Sequence, residues 1–315
     1  AMNRIQFEPG MSLPEFLRGF GTEERCVEAV FTARWPDGFS STALAGKAHG
    51  MLRHHGREPF QCNACRHQCS LITGTIFAST KLPLTTWFMA IYLLSQAKTG
   101  LSAPALKRHL DLSYPTAWLM HHKIVGAMAQ RERAHTVKTI QIDDAYLGGE
   151  RSDGSTDRGT AGKTPFVAAV SVNDAGHPLF VKLATVAAFA SQPIGLWASR
   201  NLAPGSLVLS DGQGCFAAVA LAQRLHAPDD RGPRQPRDLP QFHLVNTVLG
   251  NLKRSFAGSL HSFKFDKYAD SYLAGFAYRF NRRFDLKTLV AYLIVDVSST
   301  SPSPLRAIRG AEDRC

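Results

Sequence analysis

Carboxylates are the scarce charge in this chain: 25 Asp and Glu stand against 36 Lys and Arg over 315 residues, a net charge of +11. That balance disfavours a neutral small molecule as the main partner and favours an acidic polymer, nucleic acid before anionic membrane. Long apolar runs are missing as well. The longest, WFMAIYLLSQA from Trp87, stops short of the roughly 18 to 20 residues that a bilayer span needs. The opening MNRIQFEPGMSLPEF lacks the basic-then-apolar pattern of a secretory signal, so the expectation is a cytosolic protein with no membrane partner. Cysteine is sparse, six in all, and Cys62, Cys65 and Cys69 crowd together as metal ligands do and disulfide frameworks usually do not. No repeat of solenoid length and no long low-complexity tract is present.

What is there falls into blocks. Residues 1–78 mix Cys, His, Gly and basic residues around FQCNACRHQCSLITGTIF with little helical period, as in a small metal-stapled β module. Residues 79–135 read as helical. Within them Ser102-Ala-Pro104 and Ser113-Tyr-Pro115 are two N-terminal signals of one form, a capping Ser with Pro in the first turn. Their spacing predicts a helix-turn-helix, with Leu106 and Leu110 on one inner face and Ala117, Met120, Ile124 and Met128 on the other. An αα-hairpin that only packs fits the same pattern, and the net charge favours DNA.

Residues 136–297 alternate strand-like runs (TIQID, PFVAAVSV, PLFVKLATV, SLVLSD and QFHLV) with helical ones (GLWASRNL, CFAAVALAQRL, TVLGNLKRSF and ADSYLAGFAYRFNRR), which predicts a sheet covered by helices, α/β or α+β. The Ser- and Pro-rich residues 298–315 read as a disordered tail.

Two carboxylates stand where predicted strands end: Asp143 in IQIDDAYLGGE and Asp211 in VLSDGQGCF. The carboxyl edge of such a sheet opens a crevice, and two acids converging there make an oxygen site suited to Mg²⁺. Asp-Gly after a strand is also ordinary turn chemistry. Alternation leaves open whether Asp143 or Asp144 faces the site, because both faces of such a sheet can be covered. From Asp143 to Asp211 is 68 residues, from there to Asn246 is 35, and from Asn246 to Lys253 is 7, two helical turns.

That ladder resembles the acid triad of DDE transposases and retroviral-type integrases, with Asn246 where the third acid would stand. The blocks LPEFLRGFGTEERCVEAVFTARWPDGF, TKLPLTTWFMAIYLL, LSAPALKRHLDLSYPTAW, IDDAYLGGE, AGKTPFVAAV, VLSDG, NLKRSFAGSLHSF and YRFNRR, in that order, resemble those of the ISXO-type insertion-sequence transposases over residues 11–290 or so. The resemblance implies an RNase H-like catalytic domain, a mixed sheet flanked by helices, preceded by a zinc ribbon and a helix-turn-helix. It implies a bacterial, nucleoid-associated transposase that cuts transposon ends at terminal inverted repeats and joins their 3′ ends to target DNA, using Mg²⁺ or Mn²⁺ and assembling as a homodimer or higher oligomer on DNA. Carried over, Asp143 and Asp211 are metal ligands. Asn246 with Lys253 fits a branch of the family in which Asn replaces the third acid. Asn246 is equally placed to cap the helix that follows QFHLV. Lys253 and Arg254 are candidate phosphate contacts, with Arg279, Arg282 and Arg283 as a further basic group and Ser113 and Tyr114 at the start of the second helix of the pair. No marked Ser or Tyr recombinase pattern argues for a covalent intermediate instead.

The chain departs from the family in three places. Ser41 and Leu44 stand where a first CxxC is usual, leaving Cys62 and Cys65 as the zinc candidates, with Cys26, Cys69, His49, His54, His55 and His67 as recruits for a four-ligand site. Gly275 replaces an acid common in the family, and Asn246 carries no charge. Together these departures keep a second reading open, a catalytically impaired DNA-binding remnant or repressor.

Overall fold

The structure, a computed structural model, describes residues 9–39, 49–51, 60–62, 68–133, 140–148, 163–173, 177–221, 225–228, 243–260 and 263–310. Two compact units emerge: Ala1–Ala97 with Leu101–Ala127 and Phe284–Arg314, and Lys98–Gly100 with Met128–Arg283.

The first unit opens with α1 (Leu13–Phe20) and α2 (Glu23–Arg34), whose N-caps Ser12 and Thr22 accept the backbone N–H three residues on. A small antiparallel sheet follows, β1 (His49–Met51), β2 (Phe60–Cys62) and β3 (Gln68–Cys69), paired in that order. Then come α3 (Leu84–Gln96), α4 (Ala103–Leu110) and α5 (Tyr114–Arg133). Pro83 gives α3 no side-chain cap, and the Glu23 carboxylate of α2 accepts the orphan N–H groups of Leu84 and Thr85 at 2.7 and 3.0 Å. Both predicted serine caps form: Ser102 Oγ accepts from Ala105 N at 3.3 Å and Ser113 Oγ from Thr116 N at 3.4 Å. Asp111, left-handed at φ 50°, ends α4. Leu106, Ala117, Met120, Ile124 and Met128 are buried, and Leu110 is half-buried.

The second unit is built on β4 (Ile140–Leu147), β5 (Thr164–Val172), β6 (Pro178–Thr185), β7 (Leu207–Ser210) and β8 (Leu225–Pro228), in the sheet order β6-β5-β4-β7-β8. The β6-β5-β4 pairs are antiparallel; β4 with β7 and β7 with β8 are parallel. Helix α6 (Ser191–Asn201), a 3₁₀ turn at Gly214–Ala217 and α7 (Ala218–Leu221) cover one face, meeting Ile140, Ile142, Val167, Ala169 and Val208. Helices α8 (His243–Ser259) and α9 (Phe265–Asn281) cover the other, meeting Ala145, Leu147, Phe166, Ala168, Val170 and Val181. This two-sided burial is why PFVAAV, residues 165–170, is a continuous apolar run rather than an alternating one.

Two expectations change here. The fifth strand is β8, and His243, Leu244 and Val245 of the run QFHLV are helical. Val245, Val248, Leu249, Leu252 and Phe256 are buried at helical spacing, so the apolar stripe begins inside that run and draws it into α8. Asn246 therefore lies inside the helix, not at its cap. The expected tail is also ordered through residue 310. Helix α10 (Leu289–Ser299) buries Leu289, Val290, Leu293, Ile294 and Val297, Thr300 is buried, and α11 (Leu305–Arg309) follows. The boundary expected at 297 falls at 283, since α10 and α11 belong to the first unit. Among the described residues no helix is long and apolar enough to cross a membrane.

Candidate metal centre

Strands β4 and β7 pair over two positions only, Ile140 with Val208 and Gln141 with Leu209. Past Gln141 the chain of β4 continues beside β5 alone, with Asp143 opposite Ala168 and Asp144 opposite Val167, while Asp211 stands one residue beyond the end of β7. The two parallel strands thus part where the acids sit, as crevices at the carboxyl ends of parallel strands do. Alternation along β4 puts Asp143 on the side of Ala145 and Leu147, facing α8 and α9, and Asp144 on the side of Ile142.

One carboxylate oxygen from each of Asp143, Asp144 and Asp211 lies within 4.8 Å of the others. Asp211 is buried, 3% exposed, and the other two are half-buried. Local bonds hold the cluster: Asp143 Oδ1 accepts the Asp144 N–H at 2.9 Å and Asp211 Oδ1 accepts the Gln213 N–H at 3.1 Å. Gly212, at φ 78°, makes the turn that a side chain would strain, and its N–H donates to Ser210 Oγ, which is 2.8 Å from His226 Nε2 on β8.

Three carboxamides lie on or next to the elements that carry or cover the acids. Gln141 Oε1, two residues before Asp143, Gln213 Oε1, two after Asp211, and Asn246 Nδ2 on α8 are buried atoms without a hydrogen-bond partner. Orphaned buried polar atoms are rare and call for an explanation. The three carboxylates offer the hard oxygen ligands that a divalent cation takes. The Asp143–Asp144 doublet was the sequence signal for the third carboxylate, but alternation alone argued against both members reaching one site.

Lys253 and Arg254 are exposed on α8, and Lys253, two turns on from Asn246, shares its side of the helix. Of the other predicted arginines, Arg282 and Arg283 make contacts inside the domain and Arg279 is partly buried in α9. Arg282 Nη1 meets Glu132 Oε1 at 2.7 Å and its guanidinium lies 3.7 Å over the Tyr278 ring. Arg283 is buried and donates to the carbonyls of Pro178, Leu179 and Phe280, with its pKa pushed down to about 10 by desolvation. Arg279, likewise lowered to about 10 by burial, has an Nε sealed from solvent without a partner. Ser113 and Tyr114 are exposed at the start of α5, and Gly275 is buried in α9.

The zinc candidates are not brought together among the described residues. Cys62 lies on β2, but its side chain, Cys65, Ser41, Leu44, His54, His55 and His67 fall outside what is described, as does the side chain of His49. Cys69 is a free thiol. Cys26 is fully buried in α2, its Sγ donates to Phe20 O at 3.3 Å, and burial pushes its pKa up to about 12.

Comparison with known proteins bears on the same region. Residues 137–281 match the model of the ISXO2-like transposase domain, nearly coinciding with the second compact unit. That segment is similar to an ISXO2-like transposase domain. A relative described as an uncharacterized protein in transposable element ISH50, from Halobacterium salinarum, is 26% identical over 151 residues, 45% of this chain and 50% of that protein. The chain thus spans about half the length of the curated relative it matches. A transposase domain of the DDE type is a nucleic-acid-processing unit that uses divalent metal, and the acid cluster falls within the matched segment.

Proposed function

We propose that the chain is a transposase that cuts DNA at the terminal repeats of its element and joins the freed 3′ ends to target DNA by metal-dependent phosphoryl transfer. The observation that carries this reading is the meeting of three carboxylates, within 4.8 Å, where β4 and β7 part. In water such a trio repels itself; beside a divalent cation the same charges become a binding site. A bound Mg²⁺ or Mn²⁺ would lower the pKa of the attacking water and offset charge on the transferring phosphoryl group.

Each residue has a part in that chemistry. Asp211, buried and fixed by the Gln213 N–H, provides a carboxylate that cannot swing away, and Asp143 is held by its own neighbour's N–H. Asp144 supplies a third negative charge, which the replacement of an acid by Asn246 had removed from the expected set. That addition weakens the case for an impaired remnant. Asn246 offers a neutral amide oxygen and takes no proton. Lys253 and Arg254, exposed farther along α8, would hold the phosphate backbone in register. The α4–α5 pair, with Ser113 and Tyr114 exposed at its turn, is the proposed helix-turn-helix reader, and the fold of the second unit is read as RNase H-like on the strength of its mixed sheet covered on both faces. Acting on two ends at once would call for at least a dimer on DNA.

The test is incubation of the purified chain with the ends of its own element and Mg²⁺ or Mn²⁺, read on a sequencing gel. Specific cuts at the repeat termini and joined products are expected. Cutting of random DNA with equal efficiency would make it a general nuclease instead, and no cutting with retained binding would leave a DNA binder.

A further inference from the structure

The first compact unit contains a cavity of about 510 Å³ that the acid cluster does not explain. It is lined by the 78–82 loop, Trp87, the first turns of α5 and residues of α11. Its chemistry is one-sided. Trp87, Tyr114 and Trp118 bring aromatic rings, Lys81, Lys123 and Arg309 bring positive charge, and no carboxylate is among the lining residues. Lys123 is tied down, buried and donating to Ile76 O at 2.8 Å, whereas Lys81 and Arg309 are exposed and Tyr114 is 49% exposed.

Two details single out Trp118. Its ring rests at 4.1 Å from that of His122 and at 5.9 Å from the Arg309 guanidinium. The second contact is loose beside the 3.7 and 3.9 Å at which Arg282 and Arg283 lie over Tyr278 and Phe280. Helix α11, which carries Arg309, has no buried residue, so little packing opposes its displacement. At the cavity's edge Ser79 holds a left-handed backbone, φ 62°, a strained conformation for a side-chain-bearing residue of the kind that collects at binding sites.

Flat apolar rings beside cations, with no acid nearby, match a ligand that is planar at one end and anionic at the other. Single-stranded nucleic acid is recognised in this way, by stacking bases on aromatic rings and tracking the backbone with basic residues. We infer that this cavity receives one unstacked nucleotide of the DNA on which the protein acts, its base against Trp118 and Tyr114 and its phosphate beside Lys81 and Arg309. The inference rests on the transposase reading, in which cutting leaves strand ends whose terminal bases lack a stacking neighbour on one side.

Fluorescence anisotropy with the full chain tests it, using a ten-nucleotide oligothymidylate and a strand of equal length carrying abasic sites. The wild type should bind the base-bearing strand about tenfold more tightly. Trp118→Ala should remove that preference while leaving abasic binding unchanged, and Trp118→Phe should retain most of it. If Trp118→Ala does not fold, the exposed Arg309→Ala decides: it should weaken both strands several-fold. Equal wild-type binding of the two strands, a preference unaltered by Trp118→Ala, or affinity for both strands unaltered by Arg309→Ala overturns the inference. Metal-dependent cutting of element ends is scored on the same preparation. Cutting without base preference removes the pocket alone; base preference without cutting keeps the pocket and removes the enzyme reading; loss of both removes both.

Discussion

Within the second compact unit two groups of charged side chains are assembled by opposite rules. Glu132, in the last turn of α5, receives Arg282 on one oxygen and Asn281 on the other, each at 2.7 Å, while Lys182 and Arg283 donate to backbone carbonyls. At the parting of β4 and β7, by contrast, three carboxylates come together. Opposite charges paired with one another, or cations bonded to backbone carbonyls, are compatible with folding for its own sake, whereas gathered like charges single out a candidate site. The difference teaches which charges to read as structural. Arg282 and Arg283, candidate DNA contacts in the sequence, belong to the first group, whereas Asp144, which alternation offered only in place of Asp143, belongs to the second beside it. Buried His122 adds a third rule: desolvation, with His121 beside it, pushes its pKa down to about 3, so it stays neutral.

The largest effect that sharpens the contrast is expected at Asp211. Asp211→Ala should lower cutting of end DNA by roughly a thousandfold, as loss of a group stabilising transition-state charge does, with duplex binding nearly unchanged in a gel-shift assay. Stability should not suffer, because one of three like charges is gone; a thermal melt without metal should be unchanged or raised. Glu132→Ala should behave in reverse. It strands the Arg282 guanidinium and the Asn281 amide and should cost about 3 kcal/mol in urea unfolding, as breaking a buried pair does, while the folded fraction keeps its cutting activity. Equal destabilisation by the two substitutions would dissolve the distinction between the clusters.

Smaller effects refine it. Asp144→Asn should weaken Mn²⁺ affinity by about tenfold, since carboxylate charge tunes such sites, and no change would return Asp144 to a bystander. For His122 the folded pKa lies below that of the unfolded chain, so the unfolded state binds the extra proton. Stability is then fully present above about pH 6.5 and is lost as pH falls toward 3, with a slope of up to about 1.4 kcal/mol per pH unit. Comparing urea midpoints of the wild type and His122→Gln at pH 7 and pH 5.5 isolates this contribution, and parallel curves would contradict it.

Features fixed by local chemistry were legible in the sequence. The serine caps at 102 and 113, the buried faces of α4 and α5, the strands β4 to β7, and Asp143 and Asp211 at strand ends all follow from short-range periodicity and turn residues. What escaped depends on partners distant in the chain. QFHLV reads as a strand until the stripe from Val245 to Phe256 claims its last residues for α8, and β8, only four residues long, was hidden at the end of a helical run. Asp144 joins the cluster although alternation along β4 puts it on the opposite face from Asp143. The burial of Arg283 depends on carbonyls of β6 roughly a hundred residues away, and α10, which runs into the expected tail, depends on the apolar face it buries.

The most direct measurement is Mn²⁺ titration of the full chain followed by electron paramagnetic resonance, comparing the wild type with Asp211→Asn and with Lys253→Ala. The wild type and Lys253→Ala should take up Mn²⁺ alike, and Asp211→Asn should leave the ion in solution. Undiminished uptake by Asp211→Asn would mean that the meeting of the three carboxylates is not a metal centre.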